Sequence, residues 1–155
     1  MERKKPRHPS ADEPTQAKVV YRTTRRIEWA DTDAAGIAHF TSFFRHMEEA
    51  EHELLRESGL SVSCEDQHGT ISWPRVSVHC DFFAPVKFGD VVDIVVSLDR
   101  VGEKSVTYHF VFLRDGHTVA DGEITAACCR IEADQPPRAI PVPDWFRRKL
   151  SGDRD

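Results

Sequence analysis

Two aspartates stand close together in Asp31-Thr32-Asp33-Ala34-Ala35-Gly36, and a helix-forming stretch follows shortly after. A carboxylate in such a place is able to act as a general base on water or as a nucleophile toward a carbonyl. The start of a helix supplies unpaired N–H groups and the positive end of the helix dipole. Those features suit an oxygen atom that gains negative charge during a reaction. Gly36 fits a loop that turns sharply between the carboxylates and the helix, where backbone approaches a ligand. The ordinary duty of an aspartate ahead of a helix is to accept hydrogen bonds in a turn or cap. From residue types alone, both roles stay open for Asp33.

A second set of carboxylates lies on the helix itself: Glu48, Glu49, Glu51 and Glu53. At about 100° per residue, Glu51 projects inside the apolar stripe near Met47 and Leu54, and Glu48 lies at its edge. A buried carboxylate needs a partner. Glu51 is therefore expected to reach Arg75 or His79, or to lie at a subunit interface. The alternative is that Glu48 or Glu51 serves as a second active-site carboxylate. The eight histidines show no metal-ligand spacing: His46 and His52 are six apart, and no H-E-x-x-H is present. No metal site is expected. G-x-S-x-G, Walker and Gly-rich phosphate motifs are absent from the text as well.

The elements that must position these groups follow from periodicity. Residues 42–58 read as the main helix, with Phe43, Met47, Ala50 and Leu54 on one stripe. Thr41 or Ser42 is the expected cap, and Gly59 stands where a C′ glycine belongs. Strands are expected at 19–29, 71–83, 91–98, 105–113 and 118–131, with a loop at 30–39. Pro74 limits the second strand to an edge or an irregular start. Asp115-Gly116 signals a hairpin turn. A short helix closes the chain around 143–150. Short connections favour antiparallel neighbours, so the expected class is α+β, one long helix over a curved antiparallel sheet.

Bulk properties agree with one domain. The chain has 155 residues, a formal net charge of -5 and 39% hydrophobic residues. Residues 1–18 and 151–155 are polar and read as tails, disordered at the N-terminus, with the domain at 19–150. The charge balance carries no nucleic-acid footprint, and no apolar run approaches a membrane span. No signal segment follows the basic N-terminus, so a cytoplasmic protein is expected. Cys64, Cys80, Cys128 and Cys129 read as reduced thiols.

The stretch Arg26-Ile27-Glu28-Trp29-Ala30-Asp31-Thr32-Asp33-Ala34-Ala35-Gly36-Ile37-Ala38-His39-Phe40 resembles the active-site segment of the 4-hydroxybenzoyl-CoA thioesterase family and its Tol–Pal-associated members. Asp81-Phe82-Phe83-Ala84-Pro85-Val86-Lys87-Phe88-Gly89-Asp90 resembles the family's downstream strand-turn-strand, and Lys104-Ser105 and the Gly116–Ala120 hairpin fall where that family has them. The likeness covers roughly residues 19–145. It implies the hotdog fold, assembled as homodimers and usually tetramers. It also implies hydrolysis of acyl-CoA thioesters at a dimer-interface site, with coenzyme A part of the substrate and no separate cofactor.

By the same resemblance Asp33 is the catalytic carboxylate, and the backbone N–H at Phe40 or a neighbour polarises the thioester carbonyl. Asp31 is left to bond loop backbone. His39 becomes a pocket wall or orients substrate or water. Arg100, Lys104, Ser105 and Arg130 are plausible phosphate contacts by position, though each reads more readily as an ordinary solvated group. Phe82, Phe83, Val86 and Phe88 shape an acyl pocket or pack the core. A sister branch of hotdog thioesterases uses a helix glutamate, which keeps Glu48 in view. Phe40 and Glu51 depart from the family's usual residues. A non-catalytic acyl-CoA-binding hotdog protein is therefore the main alternative, and a hotdog hydratase or dehydratase, whose His–carboxylate arrangement is missing here, the lesser one.

Overall fold

The computed structural model describes residues 18–152. Of the two expected tails, all but Lys18, Ser151 and Gly152 lies outside the described residues. Strand β1 spans Val19–Arg26, a short 3-10 turn Trp29–Asp31 follows, and helix α1 spans Phe40–Glu57. Strands β2 (Ser63–Asp66), β3 (Gly69–Ser72), β4 (Arg75–Phe82), β5 (Val91–Val101), β6 (Ser105–Arg114), β7 (His117–Ala127), β8 (Cys129–Ile131) and β9 (Arg138–Ala139) come next, and helix α2 (Asp144–Leu150) ends the domain. The main sheet is antiparallel in the order β1-β5-β6-β7-β4, and β2-β3-β8-β9 form a smaller sheet. One long helix laid across a curved antiparallel sheet is the hotdog layout.

Two strands expected as single runs are each divided. The stretch 71–83 breaks at Trp73-Pro74, and 118–131 breaks at Cys128. Proline lacks the N–H that a central ladder needs. Its carbonyl instead takes the N–H of Ala127 at 2.9 Å. Both partners therefore leave the main sheet at the same level and pair again as β3 with β8. β2 and β9 have weak periodicity and fall outside the sequence reading. Asp115 and Gly116 both take positive φ (51° and 77°), as the tight hairpin between β6 and β7 demands.

The helix stripe is buried as expected: Phe43, Met47, Ala50, Leu54 and Leu55 pack on one face of the main sheet. Ile94, Val96, Phe110, Phe112, Ala120 and Ile124 meet it from below. Gly122 of β7 passes directly under Met47, and a Cβ there would stand 2.2 Å from its terminal methyl. The flanks of α1 are tied to the two edge strands. Arg25 of β1 bonds Glu49 and Glu53 on one side, and Arg75 of β4 bonds Glu48 and Glu51 on the other. The helix is thus held across the sheet from edge to edge.

Candidate active site

The loop between β1 and α1 is pinned at several points. Ile37 bridges to Lys87, and the Ala38 N–H donates to Val86 O at 2.7 Å. The two segments that resembled a known family in the sequence are therefore neighbours in space. Within the loop Asp33 N–H donates to Ile37 O (3.0 Å), and Gly36 N–H donates to Asp33 O (3.0 Å). Gly36 holds φ +75°, with nothing within 4 Å of a built Cβ. Its glycine is demanded by backbone conformation, not by lack of space.

Asp31 is the buried anchor. It is 2% exposed, accepts from the Glu28 N–H at 2.8 Å and is paired with Arg45. Its carbonyl accepts from the His39 N–H (2.7 Å) and the Ser42 hydroxyl (2.9 Å), which clamps the loop to the start of α1. The expectation that Asp31 serves loop backbone matches this arrangement. His46 lies beneath, with Nδ1 3.2 Å from Glu49 and Nε2 3.6 Å from Asp31, the latter too long for a hydrogen bond.

Asp33 points the other way. Its Oδ1 accepts from the Ala35 N–H at 2.8 Å, in the manner of an Asx turn. Its side chain lines an open groove of about 380 Å³ together with Ile37, Phe40, Phe43, Phe82, Phe83 and Val86. The groove wall is mainly apolar and aromatic. Phe43 packs edge-on against Phe82 at 5.1 Å, and Phe40 and Phe83 are 56% and 62% exposed.

Phe40 is the first residue of α1. Its N–H finds no acceptor among the described residues, whereas Thr41 N–H bonds His39 Nδ1 (3.3 Å) and Ser42 N–H bonds His39 O (2.9 Å). The helix therefore opens two residues earlier than expected. His39, not Thr41 or Ser42, is its cap. His39 also lies outside the groove lining, with its ring stacked on Phe40 at 4.5 Å. A histidine cap runs against the usual preference for Ser, Thr, Asp and Asn.

Other expected site residues are elsewhere in the same chain. Lys104 and Ser105 stand at the β5–β6 turn, at the end of the sheet opposite the Asp33 loop. Arg100 is exposed near that turn. Arg130 is 6% exposed and committed to Asp66 through a two-pronged contact (2.7 and 2.9 Å) and to Gly69 O. It is a structural clamp, and it holds the Asp66 carboxyl down to about 2. Phe88 is outside the groove, edge-on to the exposed Trp29 at 5.9 Å. Glu48 does not line the groove either; it sits beside Arg75 at 3.3 Å.

Glu51 is the group most altered by its surroundings. It is 1% exposed, and burial pushes its carboxyl up to about 7 against the pull of Arg75. Arg75 Nη1 donates to Oε1 at 2.9 Å, and Nη2 lies 2.8 Å from Oε2, close but out of hydrogen-bond alignment. Arg75 was one of two partners expected for it; His79 pairs with Asp81 instead. Among the described residues no cluster of metal-ligating side chains occurs, and no helix is long and apolar enough to cross a membrane.

The chain is similar to known proteins over most of its length. The family model of the thioesterase-like superfamily matches residues 27–150. A 1,4-dihydroxy-2-naphthoyl-CoA hydrolase of Synechococcus sp. (strain WH7803) is 32% identical over 134 residues, covering 82% of this chain and 86% of the relative. A solved gentisyl-coenzyme A thioesterase shares 26% identity with a TM-score of 0.72, over 84% of this chain and 99% of that one. A 1,4-dihydroxy-2-naphthoyl-CoA thioesterase from Synechocystis, at 21% identity and a TM-score of 0.74, covers 85% of this chain and 96% of its own and shares the fold. With the match running through the Asp33 loop, α1 and four of the five strands of the main sheet, the chain belongs to the thioesterase-like superfamily.

Proposed function

We propose that this protein hydrolyses an aromatic acyl-CoA thioester, with Asp33 acting on the carbonyl carbon and the Phe40 N–H stabilising the carbonyl oxygen. One observation carries the reading: the Asp33 carboxylate and the uncommitted first amide of an 18-residue helix border the same aromatic-lined groove. A thioester carbonyl placed there has its oxygen at the positive end of the dipole. Asp33 either attacks the carbon, giving an acyl-enzyme anhydride and free CoA thiolate, or takes a proton from an attacking water. The relatives named as CoA-thioester hydrolases support the class of reaction. Their aromatic acyl groups agree with a groove walled by Phe40, Phe43, Phe82 and Phe83. Within the superfamily, the motif order favours the 4-hydroxybenzoyl-CoA thioesterase branch. The reaction needs no resident cofactor.

The working unit in this reading is a homodimer, and a tetramer built from it. β4 is an edge strand, and its outer edge has no partner among the described residues. Val76, Val78, Phe82 and Phe83 along and just after it are exposed. A second copy pairing antiparallel along β4 extends the sheet and covers that apolar row. The same pairing turns one subunit end for end against the other. It carries the partner's Lys104, Ser105 and Arg100 toward the groove end, where they are available to the CoA phosphates.

A panel of acyl-CoAs with a free-thiol readout tests the reading. Thiol release by the wild type, reduced about a hundred- to ten-thousandfold in Asp33→Asn with unfolding temperature unchanged, is the expected result. No release from any ester, together with thermal stabilisation by CoA, would instead establish a binding protein. Hydration of an enoyl-CoA without thiol release would make it a hydratase.

A further inference from the structure

Arg75 and Phe82 stand at opposite ends of β4, on the same side of the sheet. Arg75 reaches Glu51 of α1, and Phe82 packs on Phe43 of α1. Phe82 borders the Asp33 groove, whereas Arg75 lies at the other end of an eight-residue strand. Antiparallel pairing of two β4 strands about Val78 sets Arg75 of one copy one residue from the position opposite Phe82 of the other. Paired Cα atoms lie about 5 Å apart, well within reach of an arginine side chain.

Arg75 is also presented for use. A guanidinium carries five N–H donors, and its two hydrogen bonds, Nη1 to Glu51 and Nη2 to Glu48, leave Nε without an acceptor among the described residues. The side chain is 22% exposed. The carboxylate that holds it is fully buried in the middle of an apolar helix stripe. An apolar residue at position 51 packs such a stripe at no desolvation cost. Retaining Glu51 makes sense if the arginine must be held in one place.

We infer that each subunit's Arg75, positioned by Glu51, reaches its partner's Asp33 groove and recognises a ring oxygen of the acyl group. The inference rests on the thioesterase reading and narrows it. The substrate is an aromatic acyl-CoA bearing a hydroxyl or phenolate oxygen on the ring, and the oxygen accepts from the guanidinium. Arg75 is then a specificity-determining residue supplied in trans.

The test compares benzoyl-CoA with 1,4-dihydroxy-2-naphthoyl-CoA and 2,5-dihydroxybenzoyl-CoA as substrates of the full-length protein. Arg75→Met is expected to lower the preference for the hydroxylated esters, as a ratio of kcat/KM, by about ten- to a hundredfold. Because that variant leaves Glu51 buried without its partner, a Glu51→Gln/Arg75→Met chain is measured beside it, with the same expectation. Asp33→Asn and Arg75→Met chains are then co-expressed under two tags and the mixed dimer isolated. Its one intact groove combines Asp33 of one chain with Arg75 of the other. Wild-type preference at about half the wild-type rate is expected, one groove of two being intact. The inference is overturned if the mixed dimer shows the Arg75→Met preference, or if neither Arg75 variant changes the preference. Wild-type protein that releases thiol from no ester overturns the thioesterase reading itself, and this inference with it.

Discussion

Asp31 and Asp33 share one loop and differ in every contact. Asp31 is buried, paired with Arg45 and bonded to backbone; Asp33 faces the groove with one oxygen in an Asx turn. The two should fail differently. Asp31→Asn is expected to cost about 1–3 kcal/mol of stability by weakening a buried, charge-assisted network, visible as a lower unfolding temperature. It should lower thiol release as the clamp on α1 loosens. Phe40 separates backbone from side chain. His39 has φ -63° and ψ 141°, a conformation compatible with a following proline, and proline is tolerated in the first helical position. Phe40→Pro should therefore fold yet lose about a hundred- to a thousandfold in kcat with the missing donor. Phe40→Ala, which keeps the N–H, should retain most of kcat and raise KM. Equal kcat losses in the two variants would remove the amide from the mechanism.

Helix α1 does two jobs that conflict at Glu51. Its stripe builds the core, and one position in that stripe carries a carboxylate. In the folded chain Glu51 keeps its proton up to about pH 7, whereas an unburied glutamate releases it near 4.5. Between those values the folded state binds the extra proton, so stability falls as pH rises through the window. The slope corresponds to a loss on the order of 3 kcal/mol. Glu51→Gln should flatten the dependence of unfolding free energy on pH between about 4.5 and 7, measured by urea unfolding at a series of pH values. An unchanged slope would mean that another group titrates there. The break at Pro74 is the other decision made at this scale. It ends β3 and starts β4, and so leaves Arg75 at the head of an edge strand.

At the scale of the whole molecule, the β4 edge, unpaired among the described residues, and the open groove are one feature seen twice. Both are apolar, both are exposed, and Phe82 and Phe83 belong to each. Val78 lies near the middle of β4 and is 48% exposed. Val78→Lys places like charges opposite each other in a symmetric pairing, where they repel. The variant is expected to sediment as a monomer and to lose thiol release together. Retention of the dimer, or of activity in a monomer, would place the interface elsewhere.

The elements were largely legible in the sequence because their signals are local. The Phe43–Leu54 stripe, the Asp115-Gly116 turn, the glycine after α1 and the Asp33 loop each depend on residues within a turn or two of one another. Glu51's need for a partner was legible too, as a carboxylate in an apolar stripe, but the choice of Arg75 over His79 was not. That choice depends on strand pairing, which joins residues far apart in the chain. The same holds for Arg130's commitment to Asp66 and the distance of Lys104 and Ser105 from Asp33, whereas the histidine cap of α1 is local and escaped because it runs against residue preference. Sequence alone determined which residues had chemistry to offer. Tertiary structure decided which of them share a groove, because only folding sets the register that brings the Val86–Lys87 segment against the loop and turns Asp33, but not Asp31, toward it.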